Sequence, residues 1–373
     1  MNKLIYLTYQ TFPADTANSI QTISTLKYFV RSGLNVELIF PNRQISSSDN
    51  IKILQNKYQF KETFKIKMLD HNLPFGKVNK FEKIFFHLSH FWWSYKAVRY
   101  ILKNSNKDDV FFTRSDWIYY FLSKKNLKVI LECHQISKVR KFVINNNRNK
   151  QRSKVIFTTN QLREDFNIRK SFKNNTCVIN NAFDEDLFNM KHSRKINSVI
   201  FVGNLMRFNK ERNLKFIINC FGDSRLNDFT LFIVGGPEDY KKELMKYSKN
   251  LNINNVVFLG RLSRQETINK MLKSKIGILI NSKNNVHSTN HTSPLKYFEY
   301  LAAGLNVVAV DFHAHKSLPE SNKIDFFNEN NNESFITSVL NSINKENKID
   351  NIEIYSYSQR TKNILDFINI QYA

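Results

Sequence analysis

Residues 291–311 read HTSPLKYFEYLAAGLNVVAVD. Ser293 can cap a helix and Pro294 suits its first position. Gly304 supplies a stop. NVVAVD (306–311) is an apolar run of the kind a strand buried on both faces requires. A helix handed through a glycine to a buried strand is half of a strand–helix–strand unit, and the same unit recurs upstream. SVIFVGNL (198–205), FTLFIVGG (229–236), NVVFLGRL (255–262) and IGILINS (276–282) are strands. The segments between them, NLKFIINCF, DYKKELMKYSKNL and RQETINKMLKSK, carry helical spacing. Strands that meet glycines just before helices mark the ligand-facing edge of a doubly wound parallel sheet.

The first half shows the same alternation. LIYLTY (4–9) is a strand, IQTISTLKYFVRSG a helix stopped at Gly33, and LNVELIF a strand. DVFFTRSD (109–116), KVILECH (128–134) and KVIFTT (154–159) continue the sheet, and TCVINNAFDEDLF (176–188) is its last strand plus an exit segment. The fold class is therefore α/β, with two doubly wound domains. The expected boundaries are 1–190, 191–354 and a terminal helix, 355–373, that crosses back to the first domain. NENNNES (328–334) reads as a polar loop.

The chain has 373 residues, too many for one ordinary core. Three separated cysteines favour neither a disulfide framework nor a zinc site. The opening apolar run is too short and polar for a signal peptide, and no stretch approaches a membrane span. The expectation is a cytoplasmic protein. Net charge is +24, with 56 Lys+Arg against 32 Asp+Glu. Residues 1–190 hold 31 basic and 15 acidic residues, and residues 191–373 hold 25 and 17. Such a field favours anionic partners, although the whole chain is rich in Lys and Asn. Seven of nine glycines lie after residue 200, so the second half is expected to wrap the small molecule.

Two stretches of the first half stand out. In KFEKIFFHLSHFWWSYKAVRYILKN (80–104), Phe81, Ile84, Phe85, Leu88, Phe91, Trp92, Tyr95 and Val98 share a broad helical face, with Lys83, Lys96, Arg99 and Lys103 around it. Such a helix is either core or an aromatic, basic element for a membrane interface. Residues 138–154 carry seven cations and no acid, either a solvated loop or a patch for an anionic acceptor.

HTSPLKYFEYLAAG also poses an electrostatic question. Lys296 falls in the first turn of its helix, where the aligned peptide dipoles leave positive charge. A diphosphate bound by the unpaired N–H groups there would offset it. Glu299, one turn on, could accept two hydrogen bonds from a vicinal diol such as a ribose.

SPLKYFEYLAAGLNVVAVD resembles the signature of GT-B glycosyltransferases, specifically glycosyltransferase family 4 (group 1). IFVGNLMRFNKERNLKFI resembles the loop that opens the family's donor domain, and FTLFIVGGPEDY with NVVFLGRLSRQE its nucleotide-base segment. INNAFDEDLF is similar to its interdomain stretch, with Ala182 for the usual glycine. FPADTANSIQT, VFFTRSD and LECH look like its acceptor-domain loops.

The resemblance implies two Rossmann-like domains facing a central cleft. Glu299 would lie at the nucleotide ribose, and Ser293, Pro294, Leu295 and Lys296 at the diphosphate and sugar. Gly203 would open the donor loop, Gly260 and Leu262 would lie near the base, and Asn18 and Ser19 would face the diphosphate. His134 would reach toward the donor sugar. Two positions depart from the pattern. His291 stands where the first glutamate of a pair is usual, and Asn204 stands where an arginine is common. The cation holding the diphosphate stays open among Arg207, Lys210 and Arg212.

The activity so implied is retaining transfer of a sugar from a nucleotide-sugar donor, with catalytic roles for His134 and Arg207 or Lys210. Lys and Arg would neutralise the leaving phosphate, so no metal and no cofactor are expected. The acceptor would be a glycan or an anionic, lipid-linked glycan of bacterial surface polysaccharide, such as capsule or lipopolysaccharide. Peripheral contact with the inner face of the plasma membrane would go through the basic first half. A non-catalytic nucleotide-sugar-binding or regulatory protein and a nucleotide-sugar epimerase are the alternatives. Nucleic acid is the least favoured partner, because charge alone points to it.

Overall fold

A computed structural model of the chain describes residues 3–43, 46–73, 82–147, 151–188, 194–207, 210–281, 283, 286–345 and 349–370. It divides into two units: residues 1–180 with 357–373, and residues 181–356. The first boundary falls ten residues before the expected one, 180 against 190. Its reason is local: Phe183 is already tied to the second unit, its N–H donating to Tyr355 O at 3.0 Å.

In the first unit, β1 (Lys3–Leu7), α1 (Ala17–Arg31), β2 (Asn35–Asn42), α2 (Ile51–Tyr58) and β3 (Lys65–Asp70) are followed by the long α3 (Glu82–Asn104). Then come β4 (Val110–Thr113), α4 (Asp116–Lys124), β5 (Lys128–Cys133), α5 (Lys138–Asn145), β6 (Ser153–Phe157), α6 (Asn160–Asp165) and β7 (Thr176–Val178). The seven strands pair in the order β3-β2-β1-β4-β5-β6-β7, and every pairing is parallel. Alternate residues of β1 enter different cores: Leu4 and Tyr6 pack with the α1 side, Ile5 and Leu7 with α3 and α4. That double burial is why these strands read as unbroken apolar runs.

In the second unit, β8 (Ser198–Val202) leads to a small hairpin, β9 (Met206–Arg207) and β10 (Lys210–Glu211), and then α7 (Leu214–Cys220). β11 (Thr230–Val234), α8 (Glu238–Asn250), β12 (Val256–Gly260), α9 (Arg264–Lys273) and β13 (Ile276–Leu279) follow. α10 (Leu295–Ala302), β14 (Asn306–Val310), α11 (His313–Lys316), β15 (Ile324–Phe327) and α12 (Asn332–Ile343) complete the unit. The six-stranded parallel sheet runs β12-β11-β8-β13-β14-β15. The chain then returns as α13 (Tyr357–Ile368), whose Ile364 and Leu365 are buried in the α1-side core of the first unit.

Three expectations change. The basic stretch at 138–154 is not a loop: Ser137 caps α5, and β6 begins at Ser153. Arg140 within it is buried and ion-paired with Asp116. NENNNES is a loop only in part, because Asn331 caps α12 through the Ser334 N–H. Finally, α3 buries a face other than the aromatic one. Trp93, Ala97 and Ile101 face the core with Val98, while Ile84, Phe85, Leu88, Phe91, Trp92 and Tyr95 are exposed. Phe81 lies outside the described residues, as does the side chain of Lys83.

Candidate functional site

Each sheet has a switch point, where the strand order reverses and two neighbouring loops diverge to leave a crevice at the carboxyl edge. In the second unit it lies between β8 and β13. The two strands pair only through Ile276–Val199 and Gly277–Ile200. Beyond that pairing the Tyr300 hydroxyl bridges them: it accepts from Val202 N at 3.1 Å and lies 3.4 Å from Ile278 O. A Cβ on Gly277 would sit 2.5 Å from the Tyr300 ring. Gly277 is therefore glycine to admit this ring and not to approach a ligand, which corrects one of the glycines assigned to wrapping a small molecule.

The loop after β8 is drawn close to the loop after β11. Gly203 N–H donates to Val234 O at 3.0 Å, and a Cβ on Gly235 would lie 1.8 Å from Gly203 O. Gly235 also has φ +149°, which L side chains rarely adopt. Arg212 reaches over Gly203: its Nη1 would be 3.0 Å from a Cβ there. Of the three cations left open by the sequence, Arg212 is the one whose side chain is described; those of Arg207 and Lys210 lie outside the described residues.

The loop after β13 leads to α10. Ser293 does not cap this helix, contrary to expectation. Its hydroxyl accepts from Asn181 N at 3.4 Å and its carbonyl accepts from the Asn181 side chain. Pro294 takes the cap position, so Leu295 is the first helical residue and Lys296 the second. Pro294 has no cap side chain, and no side-chain cap bond closes the first turn of α10.

Lys296 Nζ forms an ion pair with Glu299 Oε2, three residues on, and Arg264 at the start of α9 lies 3.3 Å from Glu299 Oε1. Glu299 is buried. Burial alone would raise its carboxyl pKa, but Lys296 and Arg264 outweigh that and hold it below the ordinary range. The misplaced lysine thus has a counter-charge in its own helix. Arg264 was invisible to sequence reasoning, because its partner is distant in the chain.

The remaining expected residues fall around this edge. His291 is buried at the end of the turn His287–His291. Gly260 ends β12, and Leu262 follows it, partly buried. The acidic triplet Asp184-Glu185-Asp186 has metal-ligand spacing, yet among the described residues no three His, Cys, Asp or Glu gather as metal ligands.

The first unit has its switch point between β1 and β4. Asn18 lies in the first turn of α1, and the residue after β4 is Arg114. Arg114 Nη1 donates to Asn18 Oδ1. Its Nε and Nη2 each donate to Glu132 Oε2 at 3.0 Å. Glu132 is fully buried, and its other oxygen pairs with Arg360 of α13. His134, just past β5, brings Nε2 to 3.1 Å from that oxygen and keeps 27% of its side chain exposed. Burial, then Arg114, push the His134 pKa down to about 4, against the pull of Glu132. His134 is therefore neutral near pH 7. Arg114, Glu132 and Arg360 went unassigned in the sequence, although TRSD and LECH adjoin His134.

Ser19 does not face outward. It is buried, and with Thr16 it closes a reciprocal cap on α1: Ser19 N–H donates to Thr16 Oγ1 at 3.1 Å, and Thr16 N–H to Ser19 Oγ at 3.1 Å. Its hydroxyl also donates to Ala14 O at 2.6 Å. The residue is committed to helix initiation.

Both units match solved structures along almost their whole length. A glycosyltransferase from Rickettsia africae is 15% identical, with a TM-score of 0.67 over 99% of this chain and 98% of that one. HepE from Anabaena, solved with UDP and glucose, is 14% identical, with a TM-score of 0.66 over 99% and 100%. The lipopolysaccharide outer core galactosyltransferase WaaB is 14% identical, with a TM-score of 0.65 over 98% and 99%. No curated protein matches the sequence. Residues 184–359 match the family of glycosyl transferases group 1, and the two parallel sheets with their flanking helices have the GT-B fold of these solved structures.

Proposed function

We propose that the protein is a retaining glycosyltransferase that moves a sugar from a nucleoside-diphosphate donor to a glycan or lipid-linked glycan in bacterial surface polysaccharide synthesis. One observation carries the reading. At the switch point of the second unit, the first turn of α10 has no side-chain cap on its N–H groups and carries Lys296, ion-paired with Glu299 one turn on. Backbone N–H groups and the dipole at such an end favour a phosphate. HepE, with a similar fold, was solved with UDP and glucose.

The Glu299 carboxylate keeps lone pairs beyond those used by Lys296 and Arg264, and a ribose diol would take them. The leaving diphosphate gains negative charge as the bond to the anomeric carbon breaks. Fixed N–H groups, Lys296 and Arg212 stabilise that charge without a metal. Removing one such donor in other enzymes costs about 2.7–4 kcal/mol. Neutral His134 offers a ring nitrogen to a sugar hydroxyl, and no protein nucleophile is needed.

A thermal-shift panel of nucleotide sugars tests the reading. A donor at 100 times its Kd adds about 2.7 kcal/mol of stability, and Glu299→Ala should lower the response. Silence from every donor sinks the proposal. His291, where the family pattern has a glutamate, favours one second reading, a nucleotide-sugar-binding protein without transfer. Binding with neither transfer nor hydrolysis would establish it, and a changed sugar without acceptor would reveal an epimerase.

A further inference from the structure

α3 separates its two faces cleanly. Phe86, Ser89, His90, Trp93, Ser94, Ala97 and Ile101 turn inward and are buried or half-buried. Ile84, Phe85, Leu88, Phe91, Trp92, Tyr95 and Leu102 turn outward, all more than a third exposed, with Leu88 at 59% and Trp92 at 54%. On a helical wheel these seven span about 120°. They are seven of the sixteen large hydrophobic side chains exposed among the described residues. The patch continues beyond the helix. Phe91 meets Trp117 and Phe121 of α4 edge-on at 5.0 and 5.3 Å, and Tyr120 lies 6.1 Å from Phe142 of α5, itself exposed.

Scattered exposed apolar groups need no explanation, whereas a contiguous patch marks an interaction surface. Charge selects the occupant. Lys96 and Lys103 border the apolar stripe, Arg99 lies within it, Lys124 lies 4.3 Å over the Tyr120 ring, and Glu82 at the start of α3 is the one acid in the sequence of that helix. A second copy docked across a two-fold axis would bring these cations against their own equivalents. An anionic bilayer brings opposite charge to the flank and hydrocarbon to the stripe. Trp and Tyr suit the headgroup boundary, and long cationic side chains reach back to lipid phosphates. No helix among the described residues is long and apolar enough to cross a membrane. We infer that α3, continued by Trp117, Phe121 and Phe142, lies in the plane of an anionic phospholipid surface and holds the first unit to it. This deepens the proposed use of a lipid-linked acceptor by naming the docking element, and it stands without any donor.

The test is flotation of the full chain with large unilamellar vesicles, with no nucleotide sugar present. Vesicles of phosphatidylcholine with phosphatidylglycerol should carry the protein, and vesicles of phosphatidylcholine alone should carry at least tenfold less. Adding salt to about 0.5 M should weaken the binding, since it screens exposed charges. Leu88→Ser/Trp92→Ser should lower partition at least tenfold. Lys96→Gln/Lys103→Gln should lower it on anionic vesicles alone, by about fivefold per cation. The substituted side chains are exposed, so thermal unfolding should be unchanged, and the nucleotide-sugar response of the second unit should persist. Equal partition of parent and Leu88→Ser/Trp92→Ser, or no flotation with anionic vesicles, overturns the inference. So does a dimer in sedimentation velocity that Leu88→Ser/Trp92→Ser disperses, because the occupant is then a second copy.

Discussion

Replacing Glu132 should damage the first unit more than any other single loss of charge there. Its carboxylate is fully buried between Arg114, with 10% of its side chain exposed, and Arg360, with 2%. Both oxygens are engaged, and His134 lies beside one of them. Removing one member of a buried ion pair costs about 3–5 kcal/mol, because the other charge stays buried without compensation. Here two guanidinium groups would remain, so Glu132→Ala belongs near about 5 kcal/mol. Glu132→Gln keeps the shape and one carbonyl acceptor and loses the charge; hydrogen bonds to charged groups are each worth about 1.5–3 kcal/mol, which sets its cost. Urea unfolding followed by tryptophan emission reads this unit alone, since Trp92, Trp93 and Trp117 all lie in it. Acid gives an independent readout. Burial raises the Glu132 pKa, but Arg114 and Arg360 outweigh it and hold the carboxyl well below its usual range. A carboxyl depressed on folding stabilises the protein above its unfolded pKa, about 4.3, and loses that contribution as pH falls through the folded value. The parent should lose stability as pH drops below about 4, and Glu132→Gln should show a flatter slope there. An alanine variant within about 1 kcal/mol of the parent, a cost well below the range for such losses, or a glutamine variant with the parent's acid slope, would refute the reasoning.

Two further outcomes follow from the second unit. Gly277→Ala should cost about 1–3 kcal/mol by overpacking against Tyr300. The pair Gly277→Ala/Tyr300→Leu should be less than additive, as measured by proteolysis of this unit; full additivity would mean the ring is not what the glycine accommodates. Lys195 donates to Ser274 O and Ala303 O, both at 2.9 Å, and burial lowers its pKa to about 8. Between pH 8 and the unfolded value near 10.4 the unfolded chain binds more protons, so stability should rise with pH in that window. Lys195→Gln should lose that rise, and an identical slope in both proteins would contradict it.

The architecture was legible where burial is symmetric. β1, β5, β8 and β14 are covered on both faces, and their apolar runs announce themselves. β3 is hard to read because it is an edge strand in which only Leu69 is buried and the rest are exposed or half-buried, so KIKMLD looks polar. α12 is hard to read because its cap lies inside an asparagine-rich run that also fits a loop. For α3 the aromatic face was visible, but not which face the core takes. Both are apolar, and composition cannot rank Trp93 above Trp92. The sheet decides by contact with Tyr9 and Phe111, distant residues that share the Trp93 core.

The charged clusters show the same limit more sharply. Lys296 and Glu299 are three residues apart on one helix, so their pairing is a matter of helical geometry. Periodicity nonetheless gives no sign of Arg264 arriving from α9 to share the Glu299 carboxylate. Glu132 and Arg360 are 228 residues apart, and the chain leaves the first unit and returns to it between them. Hydrophobic burial leaves a period in the sequence, since every residue on one face shares one environment. A buried ion pair leaves no period, because a single partner from anywhere in the chain satisfies it. The strand framework was therefore readable before the structure, while the charges that surround His134 and Glu299 became readable only with the topology that brings them together.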